Sequence, residues 1–494
     1  MLQEKQLAHA SKRSNVKNFF TGKHINHLAS NSFHGSTHDN HNYSQSPKTA
    51  HDMDEPLEIL GQLPGLDIYT QIAVCFSVKD YVPFSSVEST LTNGLERLTA
   101  AFPWVAGQVV NEGACGDSTG VFKIRPHEET PPLVIKDLRD DLSVPTMDAM
   151  KRANFPARML DESIFAARPT LPIDPTLAGK PQPIFIVQAT FVRGGLVLTF
   201  LGHHQAMDGT GQGQIIDLLS KACRNESFTD EEVSTGNLPR RSIVPLLEDY
   251  QRGLEVDSMI VEPPKEPPSP ATCRWAYFDF SASSLSALKS MASKTVKSSY
   301  VTTDDALTAF VWQSVSRVRA SRLSLDEEIK FARAVNVRGY LGVPQTFPGI
   351  VQSMTNNSSP LKDLINGPLG EVASQLRSTV NPEALSYSTR VFATVLHRSP
   401  DKRGFSLTGT LRLDKDMMLS SWAKLDLYEQ DFGLGLGKPE SVRRPQFTPV
   451  ESLAYLLPKS REGSIALAIC LRNEDMNKIN EDEEWVKFAK YIGE

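Results

Sequence analysis

The sequence predicts an α+β fold made of two sandwich-like halves. Short apolar strands and amphipathic helices mix along the chain without the strict alternation that a doubly wound sheet requires. A proline-dense run at 263–268 lies near the middle, and prolines at this density continue neither a helix nor a central strand. We therefore expect an N-terminal domain at 53–225, a crossover linker at 226–272 and a C-terminal domain at 273–494.

The first patterned segment is an apolar strand at 68–76, which is followed by a helix. Ser85 and Ser86 are the candidate N-caps of this helix, because a serine hydroxyl accepts a hydrogen bond from a free backbone N–H of the first turn. The helix is expected to end at Phe102, since proline disfavours helical backbone in the residue before it.

A β-hairpin and then a second series of elements follow. The hairpin pairs strands at 184–192 and 196–201 around two glycines. The second half contributes a helix at 304–319, strands at 331–337 and 465–471, and a closing helix at 484–492. Each half thus has strands for a sheet and helices to cover it.

Composition argues against several classes of protein. Lys and Arg number 52 and Asp and Glu 58, and the resulting formal charge of −6 argues against a nucleic-acid partner. No apolar run approaches the roughly 18 residues of a membrane span. The 5 cysteines are scattered without a Cys-x-x-Cys pair, which is typical of a reduced intracellular protein without a cysteine zinc site. We expect a cytoplasmic protein with neither a nucleic-acid nor a membrane partner.

Residues 1–52 differ in composition from the rest of the chain. They hold seven of the 11 histidines, many Asn and Ser, and few aliphatic residues. We interpret them as a disordered extension, or as an upstream gene-model artefact with Met53 as a later start. A histidine-rich metal-binding tail and a weak mitochondrial presequence are the alternatives.

The strongest chemical signal directly follows the second hairpin strand and reads Gly202-His203-His204-Gln205-Ala206-Met207-Asp208-Gly209. A neutral imidazole with an ordinary pKa of about 6.5 can take a proton from an alcohol at neutral pH. His204 is therefore a candidate general base, a role that contributes about 10²–10⁴ in rate. Because no Gly-x-Ser-x-Gly elbow or reactive-cysteine signature accompanies it, the histidine is expected to act directly on a bound substrate.

The role of Asp208 stays open at this point. The carboxylate could orient the imidazole, as in a serine-protease triad, or turn away and pair with an arginine. It could also cap the next helix, at 209–224, while the histidine merely packs at the strand end. A metal site is disfavoured, because neighbouring side chains on a strand, such as those of His203 and His204, point to opposite faces.

A second signal lies near the C-terminal third, where glycines alternate with apolar residues in Asp431-Phe432-Gly433-Leu434-Gly435-Leu436-Gly437-Lys438-Pro439. It is not a phosphate loop, because the lysine is followed by proline rather than Ser or Thr. It is not a dinucleotide fingerprint either, because no strand–helix unit surrounds it. Taken alone, it predicts a structural loop that turns sharply at its glycines.

Together, the two segments resemble the signature of the BAHD acyltransferases. The first is similar to their HHxxxDG motif, and the start of the second to their DFGWG motif, with Leu434 where plant members carry tryptophan. Their order and their separation of about 220 residues also match. The segments at 60–65 and 435–440 are similar to the fungal branch that contains the trichothecene 3-O-acetyltransferases. The resemblance covers roughly residues 56–494.

The resemblance implies two chloramphenicol-acetyltransferase-like domains with an active-site channel at their interface. It also implies direct transfer of an acyl group, most often acetyl, from acyl-CoA to a hydroxyl of a small secondary metabolite such as a terpenoid or polyketide. No bound cofactor or metal is implied, and the fold would work as a monomer. His204 would be the general base, with Asp431 as the second candidate catalytic residue.

The resemblance also implies roles for other positions that match the family motifs. Asp208 would pair with an arginine of the other half, for which Arg338 is the candidate. Contacts with the acyl group and the acceptor are implied for Ser420 and Trp422. Contacts with the pantetheine arm of CoA are implied for Thr302 and Thr303. Structural parts are implied for His203, Gly209, Gly433 and Gly435.

Three alternatives share this fold. A carrier-protein-dependent condensation enzyme uses the same histidine motif but lacks the Asp-Phe-Gly-x-Gly segment. An N-acyltransferase acts on amines, and nothing in the sequence separates amine from hydroxyl acceptors. A non-catalytic binding protein is disfavoured because both signature segments are intact.

Overall fold

A computed structural model of the chain describes residues 54–78, 83–172, 175–177, 179–261 and 271–494. The histidine-rich segment 1–52 and the proline run at 263–268 lie outside the described residues. The interpretations of those two segments therefore stay predictions.

The strands are β1 (Glu55–Pro56), β2 (Tyr69–Ser77), β3 (Gln108–Glu112), β4 (Val121–Arg125), β5 (Leu133–Asp137), β6 (Phe185–Val192), β7 (Gly195–His203), β8 (Cys273–Phe280), β9 (Glu328–Asn336), β10 (Gln352–Pro360), β11 (Met417–Ser421), β12 (Ser441–Arg443), β13 (Leu453–Leu456), β14 (Ile465–Arg472) and β15 (Ala489–Gly493). The α-helices are α1 (Phe84–Ala101), α2 (Met147–Arg152), α3 (Glu162–Phe165), α4 (Gly209–Cys223), α5 (Asp230–Gly236), α6 (Ala282–Ser293), α7 (Thr303–Arg319), α8 (Leu361–Asn366), α9 (Leu369–Ser378), α10 (Pro382–Arg398), α11 (Asn473–Glu481) and α12 (Glu483–Phe488).

Within the described residues the strands form two large sheets and a small one. The five-stranded sheet has the order β12-β2-β7-β6-β5, and the seven-stranded sheet the order β10-β9-β11-β13-β14-β8-β15. The small sheet has the order β1-β4-β3. One strand of the C-terminal half, β12, crosses back and pairs antiparallel with β2 of the N-terminal half. The predicted domain boundaries themselves stay a prediction.

Helices cover both large sheets and give each its own apolar core. Buried leucines of α1 and buried isoleucines of α4 pack with β2, β6 and β7. In the other core, α7 packs with α6, α9 and α11 against the seven-stranded sheet. The α+β class predicted from the sequence is confirmed. None of the described helices combines the length and the apolar character needed to cross a membrane.

The chain end is the main difference from the predicted elements. The helix expected at 484–492 ends at Phe488, and the next residues form β15, which pairs antiparallel with β8. Asp482 caps this short helix by accepting a hydrogen bond from the N–H of Trp485. The last residues pair with the free edge of β8 instead of continuing the helix, and a local pattern does not reveal such a distant partner.

The start of α1 also differs from the prediction. The helix begins at Phe84, so Pro83 and not Ser85 or Ser86 occupies the N-cap position. Proline is well suited to a helix start because its fixed φ leads into the first turn and its missing N–H leaves no donor unsatisfied.

Candidate active site

A cavity of about 250 Å³ lies between the end of the five-stranded sheet and the seven-stranded sheet. On one side it is bounded by the turns before β2, by the start of β2 and by the loop after β7. On the other side it is bounded by β9, β10, β11 and β13. Its polar lining side chains are Thr70, His204, Gln352, Ser406, Thr408, Ser420, Trp422, Arg444 and Tyr455. Four of the predicted site residues meet in this lining: His204, Gly209, Ser420 and Trp422.

His204 reaches the cavity because it is the first residue after β7. His203, the last residue of the strand, is fully buried and does not line the cavity. Its ring contacts Tyr69 edge-on, with 5.1 Å between the ring centroids, and its Nε2 lies 3.2 Å from Oδ1 of Asp67. The two adjacent histidines therefore have separate surroundings, as expected at a strand end.

One ring nitrogen of His204 is already engaged. Nδ1 lies 3.0 Å from the backbone oxygen of Met207. Because a carbonyl oxygen only accepts, this contact places the proton of the neutral ring on Nδ1 and leaves Nε2 with the lone pair that a base needs. Burial lowers the pKa of His204 below its ordinary 6.5, and the positive charge of Arg444 contributes to the lowering. The imidazole is therefore neutral at neutral pH.

Asp208 forms a buried ion pair with Arg338. Its Oδ2 lies 2.9 Å from Nη1 and its Oδ1 3.0 Å from Nη2 of the guanidinium. Oδ1 also accepts a hydrogen bond from the N–H of Gly211 at 2.8 Å, and Oδ2 one from the N–H of Val351 at 2.8 Å. Asp208 thus pairs with an arginine and also caps α4, whereas no hydrogen bond joins it to the ring of His204.

All five N–H donors of Arg338 are used. Besides the two bonds to Asp208, Nη1 donates to Oδ1 of Asn336 at 3.1 Å and Nη2 to the carbonyl of Gly349 at 2.7 Å. Nε donates to the carbonyl of Phe347 at 2.9 Å. With 0% of Arg338 and 3% of the Asp208 side chain exposed, water competes little for these bonds. The pair joins the loop after β7 to the segment between β9 and β10.

Comparison with known proteins identifies the family. Residues 68–223 match the family model described as trichothecene 3-O-acetyltransferase-like N-terminal domain. Residues 166–486 match the model of the transferase family. The chain belongs to the BAHD acyltransferases.

Similarity to individual BAHD members spans almost the whole chain. An O-acetyltransferase of Cryptosporiopsis sp. is 51% identical over 90% of this chain and 98% of its own length. The trichothecene 3-O-acetyltransferase of Fusarium sporotrichioides is 50% identical over 91% of this chain and 99% of its own length. A crystal structure of the Fusarium graminearum enzyme with coenzyme A and deoxynivalenol matches with a TM-score of 0.87 and 47% identity, covering 89% of this chain and 100% of that chain. The family resemblance is confirmed, and with it the expectation of an acyltransferase.

The second BAHD signature lies away from the cavity, at the far end of α4. The carbonyl of Asp431 accepts hydrogen bonds from the hydroxyl of Ser220, at 2.9 Å, and from the guanidinium of Arg224. Ser220 lies twelve residues beyond Asp208, which corresponds to about 18 Å along the helix. The structure therefore does not bring the two candidate catalytic residues, His204 and Asp431, together, and the position of Asp431 gives a catalytic role no support.

Left-handed backbone shapes this loop. Gly433 and Gly435 have φ values of 66° and 72°, which strain residues that carry a Cβ. The N–H of Gly433 donates to Oδ1 of Asp431 at 2.9 Å and closes the turn. Phe432 is buried and stacks on Phe200 of β7, with 5.4 Å between the ring centroids. The loop anchors the segment that leads into β12.

Thr302 and Thr303 lie at the start of α7 and do not contribute to the cavity lining. The hydroxyl of Thr302 accepts a hydrogen bond from the N–H of Asp305 at 3.1 Å, and the carboxylate of Asp305 accepts one from the N–H of Thr302 at 2.9 Å. This capping box gives Thr302 a local role. A contact of either threonine with pantetheine stays a prediction.

Sequence reasoning missed a second buried ion pair beside the histidine loop. Nη1 of Arg240 donates to Oε1 of Glu58 at 2.7 Å and to the carbonyl of Ala206 at 3.0 Å. Oε1 of Glu58 also accepts a hydrogen bond from the N–H of Ile350 at 3.2 Å. The guanidinium carbon lies 4.0 Å from the centroid of the Trp104 ring. The loop after β7 and the segment between β9 and β10 each contribute one member of the first ion pair. Each is also hydrogen-bonded through its backbone to the second pair.

Replacing Arg240 with methionine is expected to destabilise the protein at neutral pH by about 3–5 kcal/mol, because Glu58 loses its buried partner. Burial raises the pKa of Glu58 above 4.5. A carboxyl whose pKa is raised on folding stabilises the protein once protonated, so the defect should shrink as the pH falls from neutral through that pKa. Urea unfolding at several pH values measures the effect. The exposed neighbour provides the control Arg241→Met, and a defect in Arg240→Met that does not change with pH would contradict the prediction.

Sequence reasoning also missed Arg444. It lines the cavity directly after β12, and its side chain is 3% exposed. The only available signal was the pair Arg443-Arg444 before Pro445, which no motif of the family resemblance includes.

Proposed function

We propose that this chain transfers an acyl group, most often acetyl, from acyl-CoA to a hydroxyl of a small fungal secondary metabolite of the terpenoid or polyketide type. The observation that carries the proposal is the neutral ring of His204 in the cavity, with Nδ1 bonded to Met207 and Nε2 available as an acceptor. The relatives named as O-acetyltransferases, and the coenzyme A and deoxynivalenol bound to the related Fusarium graminearum enzyme, support the classes of donor and acceptor.

The proposed reaction needs one base and no covalent enzyme intermediate. Nε2 of His204 takes the proton of the acceptor hydroxyl as its oxygen attacks the thioester carbonyl. A tetrahedral oxyanion forms and collapses with cleavage of the C–S bond, which releases the thiolate of CoA. The imidazolium returns its proton to that sulfur, so the products are the ester and free CoA.

Direct transfer within a ternary complex is favoured because no nucleophilic side chain of the described residues is hydrogen-bonded to His204. Among the described residues its ring forms a hydrogen bond only with the carbonyl of Met207. Cys75 and Cys223 are buried, and burial raises the pKa of each thiol to about 12. Neither lines the cavity. We therefore propose that both substrates occupy the site together.

Ser420 and Trp422 are proposed to contact the acyl group and the acceptor. Ser420 lies in β11, Trp422 directly follows it, and both line the cavity of His204. A Cβ placed on Gly209 would lie 3.2 Å from Nε1 of Trp422. Glycine at this position therefore lets the indole approach the start of α4 and form a wall of the site.

The rate is expected to fall on the acid side with a midpoint below pH 6.5. Burial lowers the pKa of His204 below that value, and only the neutral ring can accept the proton. The value of kcat/KM should therefore stay constant above this pKa and fall as the pH drops through it. Initial rates over a range of pH, with circular dichroism as the check on folding, measure the midpoint. An acid limb centred at or above 6.5 in folded protein would argue against His204 as the base.

Product formation tests the proposed function. The full chain is incubated with acetyl-CoA and a panel of sesquiterpenoid, meroterpenoid and polyketide alcohols, trichothecenes included, and the products are analysed by mass spectrometry. A product heavier by one acetyl group, which the variant His204→Ala does not form, supports the proposal and identifies an acceptor class. Products from amines alone, or only from a carrier-bound acyl donor, would favour the N-acyltransferase or the condensation enzyme instead.

A further inference from the structure

Arg444 is the only permanently charged residue among the described residues that line the cavity of His204. Its guanidinium forms no ion pair with a carboxylate in the described part of the chain. Nη1 and Nη2 lie 3.5 Å from the carbonyl of Gln71 and 3.4 Å from the hydroxyl of Thr170, at the outer limit for a hydrogen bond. Nε has no partner. Unlike Arg338, this arginine is left with unused donor capacity.

Aromatic rings surround this cation without neutralising it. The guanidinium carbon lies 4.4 Å from the ring centroid of Phe447, 4.7 Å from that of Tyr455 and 5.6 Å from that of Trp422. Ring faces attract a cation but accept no strong hydrogen bond from its N–H groups. A buried charge without a counter-ion is unfavourable, and the cavity is the side from which a ligand can supply one.

Arg444 and the backbone of His204 lie beside different carbonyls at the start of β2. The N–H of His204 donates to the carbonyl of Ile68, whereas Arg444 lies beside the carbonyl of Gln71. These carbonyls are three residues apart, which corresponds to about 10 Å along an extended strand. Arg444 therefore lines the cavity at a different position along β2 from the backbone of His204.

We propose that Arg444 binds a negatively charged oxygen of the acceptor, a carboxylate or an ionised phenol, while His204 deprotonates a separate hydroxyl of the same molecule. The inference rests on the proposed function and, within its acceptor class, ranks alcohols that carry such an oxygen above neutral ones. Arg444 is then a specificity-determining residue, and a neutral carbonyl at the same position would be a weaker ligand.

Binding of two matched probes tests the inference without turnover. Isothermal titration calorimetry at neutral pH compares para-hydroxymethylbenzoate with para-methylbenzyl alcohol, on the full chain in the presence of coenzyme A. The carboxylate is expected to bind the wild type at least about tenfold more tightly than the methyl compound. Arg444→Met should remove this preference and bind the methyl compound as the wild type does, and Arg444→Lys should keep part of the preference. Arg444→Gln replaces the methionine variant if that variant does not fold.

Three results would overturn the inference. The first is equal affinity of the two probes for the wild type, and the second is an unchanged preference for the carboxylate in Arg444→Met. The third is an equal loss of affinity for both probes in that variant, which would make Arg444 a packing residue only. The same probes with acetyl-CoA give a separate readout of acyl transfer. Absence of product from both counts against the proposed function on such alcohols, while the binding comparison still decides the role of Arg444.

Discussion

Replacing His204 with alanine is expected to lower kcat by about 10²–10⁴-fold while the fold and coenzyme A binding stay intact. The reason is local, because the ring lines the cavity and its one hydrogen bond goes to the carbonyl of Met207. Its removal therefore takes away the base without breaking an ion pair. Initial rates with an acceptor identified from the panel measure the loss, and calorimetry with coenzyme A measures binding.

His397 offers a matched control. Its side chain is exposed on α10, so His397→Ala removes a histidine with no expected effect on rate. A turnover rate of His204→Ala close to that of the control would remove His204 as the base. If instead His204→Ala lost both turnover and its cooperative thermal transition, the residue would be structural, as in the alternative of a histidine packed at a strand end.

Replacing Asp208 with alanine is expected to cost about 3–5 kcal/mol of stability, because Arg338 would stay buried without its carboxylate. The same change removes the cap of α4 and the acceptor for the N–H of Val351. Folded yield and activity should therefore fall together. Chemical denaturation of purified protein measures the free energy of unfolding, and thermal unfolding equal to that of the wild type would contradict a stabilising role of this ion pair.

Two further variants separate the roles of Asp208. Asp208→Asn keeps an oxygen that can cap α4 but removes the charge, so it isolates the ion pair. The exposed pair of Asp326 with Lys362 is the matched control, and Asp326→Asn is expected to have little effect because solvent screens such pairs. In a double-mutant cycle with Arg338→Met, the two losses should be clearly non-additive, since each variant breaks the same contact. Additive losses would mean that the residues stabilise the fold independently.

Local patterns were sufficient for much of the fold. The hairpin of β6 and β7 and the helices α4 and α7 lie within a few residues of their predicted bounds, because their apolar periodicity and turn residues act over short distances. The error at the chain end has the opposite cause. The residues of β15 gain their backbone partners from β8, about 200 positions earlier in the chain.

The candidate site shows the same division. The histidine motif predicted a functional side chain at a strand end, and in the structure His204 lines a cavity there. The alternation of strand side chains explains why His203 lies elsewhere. The motif did not decide what Asp208 does, and the structure shows that capping and ion pairing occur together. Asp431 shares a family signature with His204 but lies at the far end of α4.

By itself, the sequence determined the class of fold, the family and the candidate base, because each depends on residues that are close along the chain or on motifs that match as a set. Only the tertiary structure showed the pairing of Glu58 with Arg240 and the unpaired charge of Arg444 in the cavity. The residues involved lie far apart in sequence. No periodic pattern of neighbouring residues therefore predicts that Glu58 and Arg240 pair or that Arg444 stays unpaired. Whether a buried charge finds a partner depends on which distant segments the fold brings beside it.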